Sequence, residues 1–298
     1  MSRLAIETGG TKIVARAVAV DGMVMASGRW PTSTPEAALT DLVTFARSLD
    51  VIADPLIAVG IAAFGPILID AAHPEYGKML ATAKPGWTGS NLRAELAETL
   101  NIPVAVDTDV NAAATAEREL GAGQGCTSVA YVTIGTGIGA GLATATGTLR
   151  GALHPEIGHL RIVRLRGDIM PSTCPFHDDC AEGLATGPAV AQRLGAGETL
   201  IAREDVRDLT AGYIAQLLVA IVLAWSPHRI VIGGGIGSAP SMLPAIRSAF
   251  AEAVRGYGIG PAATAVDFIR PAMLEDAGLE GALLIARGLV SARLKDFA

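Results

Sequence analysis

Two cysteines and two histidines in the middle of the chain have the types and spacing of metal ligands. Cys174, His177 and Cys180 follow one another at three-residue steps in a proline-containing loop, and His159 precedes them. Two thiolates and two imidazoles suit tetrahedral zinc, and four protein ligands leave no open coordination position. An isolated residue of these types is more often a packing residue, as we expect for Cys126. The set of four predicts a structural zinc site.

Two carboxylates near these ligands, Glu156 and Glu182, have the chemistry to bind a polyhydroxylated substrate. A carboxylate accepts hydrogen bonds from sugar hydroxyl groups, and a site built around such bonds rejects substrates that lack them. We therefore expect the zinc ion to fix the loop that carries these two side chains beside a sugar.

Two glycine-rich turns have the chemistry of phosphate-binding sites. Each follows an apolar strand, and the second has four glycines in seven positions. Glycine leaves backbone N–H groups accessible to phosphate oxygens. A single turn of this kind is usually only a turn, but one in each half of the chain predicts a nucleotide held by both. The residues concerned are Gly9, Gly10, Thr11, Lys12, Gly135, Thr136 and Gly137.

A third glycine run, Gly233-Gly234-Gly235, follows another apolar strand. A plain strand-to-helix turn explains this run equally well in isolation, but the end of a strand in an α/β sheet is where ligand crevices form. Neither of the first two turns opens directly into a long helix with a Lys-Ser/Thr ending. That absence excludes a P-loop and a dinucleotide fingerprint.

The segment Asp107-Thr108-Asp109-Val110-Asn111 lies between a predicted strand and a predicted helix. Transfer of a phosphoryl group to a hydroxyl needs an acceptor for the hydroxyl proton. We predict that Asp109 is this general base. The alternative is that Asp107 or Asp109 caps the helix and has no catalytic role.

The elements that must position these residues follow one pattern twice. Each half opens with a meander of three strands around its glycine-rich turn, and helices then alternate with strands. This order predicts an α/β fold with mixed sheets. The predicted strands include 4–7, 13–20, 57–63, 104–107, 129–134, 138–145 and 229–232. The first predicted helix begins after Thr34, and the others cover 91–100, 112–120, 206–225 and 279–294.

The repeated pattern predicts two domains. We assign residues 1–115 plus 280–298 to a small N-terminal domain, to which the last helix returns, and residues 116–279 to a large domain with the zinc loop. No Pro- or Ser-rich linker separates the halves. The boundary is therefore expected inside the helix at 112–120.

Composition narrows the class of protein further. Of the 298 residues 50% are apolar and 17% are charged, so the chain can bury a large core, and the net charge of -6 gives no attraction to nucleic acid. Three cysteines argue against a disulfide framework. The strand-like start leaves no room for a signal peptide, and the apolar stretch 213–225 suits a buried helix better than a membrane span. We expect a cytoplasmic protein whose partners are neither nucleic acid nor membrane.

Taken together, these motifs resemble the ROK family of bacterial sugar kinases and related repressors, over essentially the whole chain and most of all in its fructokinase branch. The resemblance rests on the stretches 7–12, 64–66, 84–87, 107–111, 134–141, 154–159, 174–180, 182–188 and 233–235. It implies a two-domain actin-like (ribonuclease H-like) sugar kinase fold with a duplicated βββαβαβα core. It also implies a homodimer.

The resemblance further implies an activity and a set of roles. The reaction is ATP-dependent phosphorylation of a hexose, most of all fructose to fructose 6-phosphate, with Mg²⁺ accompanying ATP and a structural Zn²⁺. Asp109 is the implied base, and Glu7 is the implied magnesium ligand. The implied sugar-binding residues are Gly65, Pro66, Thr108, Asp109, Glu156, His159 and Glu182. The implied ATP-binding residues are the glycine turns above together with Gly187, Pro188, Gly233, Gly234 and Gly235.

Three departures from the broader family pattern favour fructose. The chain has Glu7 where most relatives have Asp, Thr108 where glucokinases of the family have Asn, and His177 where the usual zinc ligand is Cys. A glucokinase or an N-acylmannosamine kinase stays an alternative, because it differs only in the sugar. A non-catalytic sugar sensor is a further alternative, although the base and both phosphate turns are present. A repressor is expected to carry a DNA-reading domain ahead of the first strand.

Overall fold

The computed structural model describes residues 1–50, 55–260 and 266–295. Contacts divide the chain into two compact units, and the chain first passes between them inside a helix. Unit 1 consists of Met1–Ala116, Thr148–His154 and the chain from Asp276 onward, and unit 2 consists of Glu117–Gly147 and Pro155–Glu275. Residues 148–154 therefore group with unit 1 rather than with their neighbours in sequence. The domain bounds 1–115 plus 280–298 and 116–279 stay a prediction.

Unit 1 contains a five-stranded sheet and the helices that connect its strands. Its elements are β1 (Ser2–Thr8), β2 (Lys12–Ala19), β3 (Val24–Pro31), α1 (Pro35–Asp50), β4 (Leu56–Ala63), α2 (Leu92–Leu100), β5 (Val104–Thr108) and the start of α3 (Asp109–Leu120). The strand order is β3-β2-β1-β4-β5, antiparallel in the meander and parallel from β1 to β5. β1 and β4 bury both faces, which explains why they are apolar runs rather than alternating sequences.

Unit 2 contains a second sheet with the same topology. Its elements are β6 (Ser128–Ile134), β7 (Ile138–Thr144), β8 (Gly147–Thr148, at the border of the units), α4 (Ala181–Ala185), α5 (Gly187–Ala191), α6 (Glu204–Trp225), β9 (Arg229–Gly233), α7 (Met242–Val254) and β10 (Ile269–Pro271). The order β10-β9-β6-β7-β8 is the first sheet read from its other end. With α8 (Ala277–Lys295) as the last helix, the duplicated βββαβαβα order is confirmed.

Helix α6 is the central core helix of unit 2. By length and composition alone it could cross a membrane. Its side chains instead pack into one apolar cluster with those of β6 and β9, among them Tyr213, Leu217 and Ile221, which are fully buried. The burial of these side chains agrees with the prediction from sequence that this stretch is a buried helix.

Helix α8 packs unusually closely against β4 and α3 in unit 1. A Cβ atom on Gly60 would lie 1.9 Å from the carbonyl oxygen of Ala282, and one on Gly281 would lie 2.0 Å from that of Ala112. Arg16 of β2 also binds the start of α8, through Asp276 at 2.6 Å and Glu280 at 2.7 Å. This packing fixes the helix that begins at Asp109.

Substitution of Gly281 tests the importance of this contact. Alanine has a higher helix propensity than glycine by about 1 kcal/mol, but at this position its methyl group meets the backbone of α3. We expect Gly281→Ala to lower the free energy of unfolding by roughly 2 kcal/mol, as overpacked core positions do, measured by chemical denaturation. The control is Gly288→Ala in the same helix, where a Cβ meets nothing within 4 Å. Equal stability of the two variants would contradict the packing argument.

Candidate active site and metal centre

The parallel strands of unit 1 bring three predicted segments to one edge of the sheet. Thr8 at the end of β1 pairs with Ala63 at the end of β4, and Ala63 pairs with Thr108 at the end of β5. The segments that follow these residues are the first glycine turn, Gly65-Pro66 and the start of α3. Carboxyl ends of parallel strands are the usual location of ligand crevices in α/β sheets.

The start of α3 distinguishes between the two aspartates. Helix α3 begins at Asp109, three residues earlier than the predicted start, because Thr108 is its cap: the Thr108 hydroxyl accepts the backbone N–H of Asn111 at 3.1 Å. The alternative in which Asp107 or Asp109 caps the helix is therefore wrong. Asp109 is partly exposed and accepts the N–H of Val110 at 2.8 Å.

Asp107, in contrast, is 5% exposed and accepts three hydrogen bonds. Its Oδ1 accepts the Thr108 N–H at 2.8 Å and the Asn111 amide at 2.7 Å. Its Oδ2 accepts the Thr148 hydroxyl at 2.7 Å. Of the two carboxylates, Asp109 is the more exposed.

The first glycine turn is closed by its own backbone and open to solvent. The N–H of Gly9 donates to the carbonyl of Lys12 at 2.8 Å, and the Thr32 hydroxyl donates to the carbonyl of Gly9 at 2.7 Å. Lys84 contacts the carbonyl of Gly10. A Cβ atom on Gly10 would meet nothing within 4 Å, so the exposed face of the turn has room for a ligand.

Glu7 faces the start of α8, a partner that the sequence did not reveal. Burial raises the pKa of its carboxyl group, the charge of Lys12 opposes that rise, Asp276 adds to it, and a hydrogen bond from the backbone of Leu279 lowers it. A Cβ atom on Gly278 would lie 2.8 Å from the carboxyl carbon of Glu7. The magnesium role of Glu7 stays a prediction.

In unit 2 the other predicted nucleotide residues lie together. The N–H of Gly187, the first residue of α5, donates to the carbonyl of Gly135 at 2.7 Å. Gly234 has a φ of 82°, and a Cβ atom on it would lie 2.4 Å from the carbonyl oxygen of Ile134. A side chain is excluded there on both grounds. Pro188 follows Gly187 in the first turn of α5.

The four predicted metal ligands converge in unit 2. The ligand atoms of His159, Cys174, His177 and Cys180 all lie within 4.8 Å of one another. The Cys174 sulfur is 3.8 Å from Nδ1 of His159 and 3.7 Å from Nδ1 of His177, and the Cys180 sulfur is 3.9 Å from Nδ1 of His159. Ordinary Zn–S and Zn–N bonds at a tetrahedral angle separate sulfur from nitrogen by about 3.6 Å. The four residues therefore fit a tetrahedral zinc ion.

The electrostatics of the cluster also favour a cation. Burial raises the pKa of the Cys180 thiol to about 11, the N–H of Gly183 opposes this rise, and Cys174 and Glu182 add to it. A metal ion reverses this situation because a coordinated thiol is deprotonated. The loop is shaped for the cluster, since the Ser172 hydroxyl donates to the carbonyl of His177 at 2.7 Å and accepts the N–H of Cys174 at 3.2 Å.

Glu182 connects the metal cluster to the second glycine turn. Its Oε2 accepts the N–H of Ile138 at 3.0 Å, and its Oε1 lies 3.8 Å from Nε2 of His159. A Cβ atom on Gly137 would lie 2.9 Å from Oε2, so glycine is needed there for this contact. Glu156 precedes the short helical turn 157–159, whose Gly158 packs on the carbonyl of Ile138.

The predicted site residues therefore fall into two groups, one in each unit. Unit 1 carries Glu7, Gly9, Gly10, Thr11, Lys12, Gly65, Pro66, Thr108 and Asp109. Unit 2 carries Gly135, Thr136, Gly137, Glu156, His159, Cys174, His177, Cys180, Glu182, Gly187, Pro188, Gly233, Gly234 and Gly235. Sequence reasoning missed Thr148 and Ser172, because neither lies in a motif and each acts through a partner that only folding brings near.

Comparison with known proteins decides the family. Residues 3–288 match the ROK family. The chain belongs to the ROK family. It is 39% identical to a fructokinase from Pediococcus pentosaceus over 95% of this chain and 96% of that one.

Solved ROK structures share the fold over nearly the whole length. A ROK hexokinase from Thermus thermophilus is 29% identical, with a TM-score of 0.77 over 98% of this chain and 100% of its own. A ROK family glucokinase from Streptomyces griseus, in complex with glucose and AMPPNP, is 25% identical, with a TM-score of 0.74 over 97% of this chain and 100% of its own. These similarities confirm the two-domain sugar kinase fold.

Proposed function

We propose that this ROK chain transfers the γ-phosphoryl group of ATP to a hexose, with the conversion of fructose to fructose 6-phosphate as its main reaction. The observation that carries the proposal is the state of the two aspartates at the start of α3. Asp107 is buried and accepts three hydrogen bonds, whereas Asp109 is partly exposed at the sheet edge that also bears the first glycine turn. The fructokinase from Pediococcus pentosaceus supports fructose as the acceptor.

In this proposal Asp109 accepts the proton of the attacking sugar hydroxyl. A positioned base of this kind contributes roughly 100-fold to 10,000-fold in rate. In the glycine turns Gly9–Lys12 and Gly135–Gly137, backbone N–H groups other than those of Gly9 and Gly135, which donate within their own turns, hold phosphate oxygens. Gly187, Pro188 and Gly233–Gly235 lie beside the second turn. Phosphoryl transfer depends mainly on such positioning and on charge stabilisation.

Magnesium accompanies ATP and neutralises charge on its β- and γ-phosphate oxygens when bound. Glu7 is the residue proposed to hold the ion or its water molecules. A carboxylate is a ligand type that Mg²⁺ prefers, and a nearby cation would oppose the burial that raises the pKa of Glu7. Its hydrogen bond with the backbone of Leu279 orients the carboxylate in unit 1.

Zinc has a structural role in the proposal. His159, Cys174, His177 and Cys180 would hold the ion and leave it no open position. Nδ1 of His159 faces the cluster and Nε2 faces Glu182, so the ion orients the imidazole and, through it, a carboxylate. Because His159 is a metal ligand, it is not the base.

The proposed sugar-binding residues occur in each unit. Gly65, Pro66, Thr108 and Asp109 are the proposed contacts in unit 1, and Glu156, His159 and Glu182 are those in unit 2. Carboxylate acceptors suit a ligand rich in hydroxyl groups. The proposal includes a cytoplasmic location, where ATP is available, and assembly as a homodimer.

A second candidate function is phosphorylation of glucose. The Streptomyces griseus relative, which is a glucokinase bound to glucose, is similar over 97% of this chain. N-acetylmannosamine kinases from Escherichia coli are 31% identical over 97% of this chain. These relatives share the reaction and differ in the acceptor, so only the sugar distinguishes the candidates.

The choice of acceptor is tested by measuring ADP release from ATP and Mg²⁺ with fructose, glucose, mannose and N-acetylmannosamine. We expect the highest kcat/KM with fructose, because Thr108 and His177 match the fructokinase branch. A higher value with another sugar would keep the kinase and replace its substrate. No turnover with any sugar, together with measurable sugar binding, would favour the sensor.

The role of Asp109 is tested by Asp109→Asn, which keeps the shape of the side chain and removes its basicity. We expect kcat to fall by roughly 100-fold or more, with little change in sugar affinity measured by calorimetry. The variant should unfold at the temperature of the wild type. Turnover close to that of the wild type would remove Asp109 from the mechanism.

Zinc binding is tested by elemental analysis of the purified protein. We expect about one zinc ion per chain, and a large loss of zinc in Cys174→Ser, together with weaker sugar binding, because binding of such an ion is coupled to folding of its loop. Cys126→Ser is the matched control, since Cys126 lies outside the cluster. Unchanged zinc content in Cys174→Ser would contradict the assignment.

A further inference from the structure

We propose that Thr148 and Asp107 form a positioning pair that sets the location of Asp109. This inference rests on the proposed kinase activity and adds two residues to its site. Asp107 lies within the recognised segment but has no assigned role, and Thr148 lies outside every motif.

The first argument is the set of three hydrogen bonds that the Asp107 side chain accepts. Three donors occupy its two oxygens: the Thr108 N–H, the Asn111 amide and the Thr148 hydroxyl, at 2.8, 2.7 and 2.7 Å. Its side chain is buried, so a substrate cannot replace these donors. Leaving an oxygen of a buried carboxylate without its donor costs free energy. The position of the Asp107 carboxylate is therefore tightly determined.

The second argument is the position of the residues that donate to this carboxylate. Its partners Thr108 and Asn111 flank Asp109 on both sides, and the Thr108 hydroxyl in turn accepts the N–H of Asn111 at 3.1 Å. Thr108 and Asn111 are 2% and 0% exposed. Asp109 is thus the partly exposed residue of a turn in which both flanking residues, Thr108 and Asn111, donate hydrogen bonds to Asp107.

The third argument is the origin of Thr148. It stands 41 residues away in sequence and begins the segment 148–154, which groups with unit 1 although the chain on both sides belongs to unit 2. The other end of the segment is also attached to unit 1, because Nδ1 of His154 lies 3.0 Å from the carbonyl of Ile67, next to Gly65-Pro66. Both ends of the segment therefore contact residues that border the proposed sugar site.

The consequence is a defined effect on catalysis. If the Thr148 hydroxyl is removed, Oδ2 of Asp107 lacks its donor, and the carboxylate must reorient toward another. Such a rearrangement moves the turn that bears Asp109. Displacements of about 1 Å at a reacting group cost up to roughly 100-fold in rate, whereas the sites that bind ATP in the glycine turns are unaffected.

Steady-state kinetics of Thr148→Val with fructose and ATP test this pair. Valine keeps the shape of the side chain and loses the hydroxyl. We expect kcat to fall by roughly 10-fold or more while KM for ATP stays within about twofold. Thr148→Ser retains the hydroxyl and should restore most of the turnover. Thr146→Val, an exposed threonine two residues earlier, is the matched control.

A double variant separates positioning from general destabilisation. If Thr148 acts through Asp109, Thr148→Val should cause little further loss of kcat in an Asp109→Asn background, because residues that act as a unit are not additive. A full and independent loss in that background would overturn the pairing. So would a Thr148→Val enzyme with wild-type kcat, or a Thr148→Ser enzyme as slow as Thr148→Val.

The failure of the pair and the failure of the proposed function give different results. A wild-type protein that phosphorylates no sugar overturns both. A wild-type protein that phosphorylates a sugar, combined with an unaffected Thr148→Val variant, overturns only the pair. If Thr148→Val fails to fold, kcat and KM for ATP are measured instead for Thr148→Ala and Asp107→Asn. Their kcat must then fall without a matching rise in KM for ATP.

Discussion

The constraint on which the site depends is the fixed start of α3. A carboxylate that acts as a base must be available to the substrate, yet the backbone that carries it must not move. The proposed base, Asp109, is partly exposed, and its neighbours Thr108 and Asn111 make buried hydrogen bonds that hold the turn. Behind them, the closely packed glycines of α8 and β4 hold the body of the helix. Polar fixation at the helix start and close backbone packing along its length thus act together.

In unit 2 the segment that carries candidate site residues is held in place by different interactions. The segment from Pro155 to Cys180 contains only one short helical turn in the described part of the chain, so regular secondary structure contributes little to its rigidity. Four converging candidate metal ligands and several close backbone contacts, such as Gly158 against Ile138, occur there instead. Glu182 then connects the metal cluster to the second glycine turn. A zinc ion in the cluster would be expected to order residues well beyond its own ligands.

The two sheets share one topology but have different local chemistry at corresponding strand ends. In both, a meander surrounds a glycine turn, and further strands add in parallel on one side. The turn after β1 lies at a sheet edge that also carries the partly exposed Asp109, whereas the turn after β6 lies against α5 and the Gly233–Gly235 run. The two sheets therefore provide equivalent frameworks for a glycine turn, and the proposed base lies in the first of them.

The sequence by itself determined the features that local signals encode. Strand and helix order follows from apolar periodicity, and the glycine turns follow from composition. The candidate metal ligands follow largely from the spacing of Cys174, His177 and Cys180 within a short loop. Tertiary structure decided which polar groups pair: Thr108 rather than an aspartate caps α3, Thr148 donates to Asp107 from 41 residues away, and Glu7 faces the start of α8. The reason is physical. Local propensity acts within a few residues of the chain, whereas the partner of a buried polar group is selected by the packing of the whole unit, which no short segment contains.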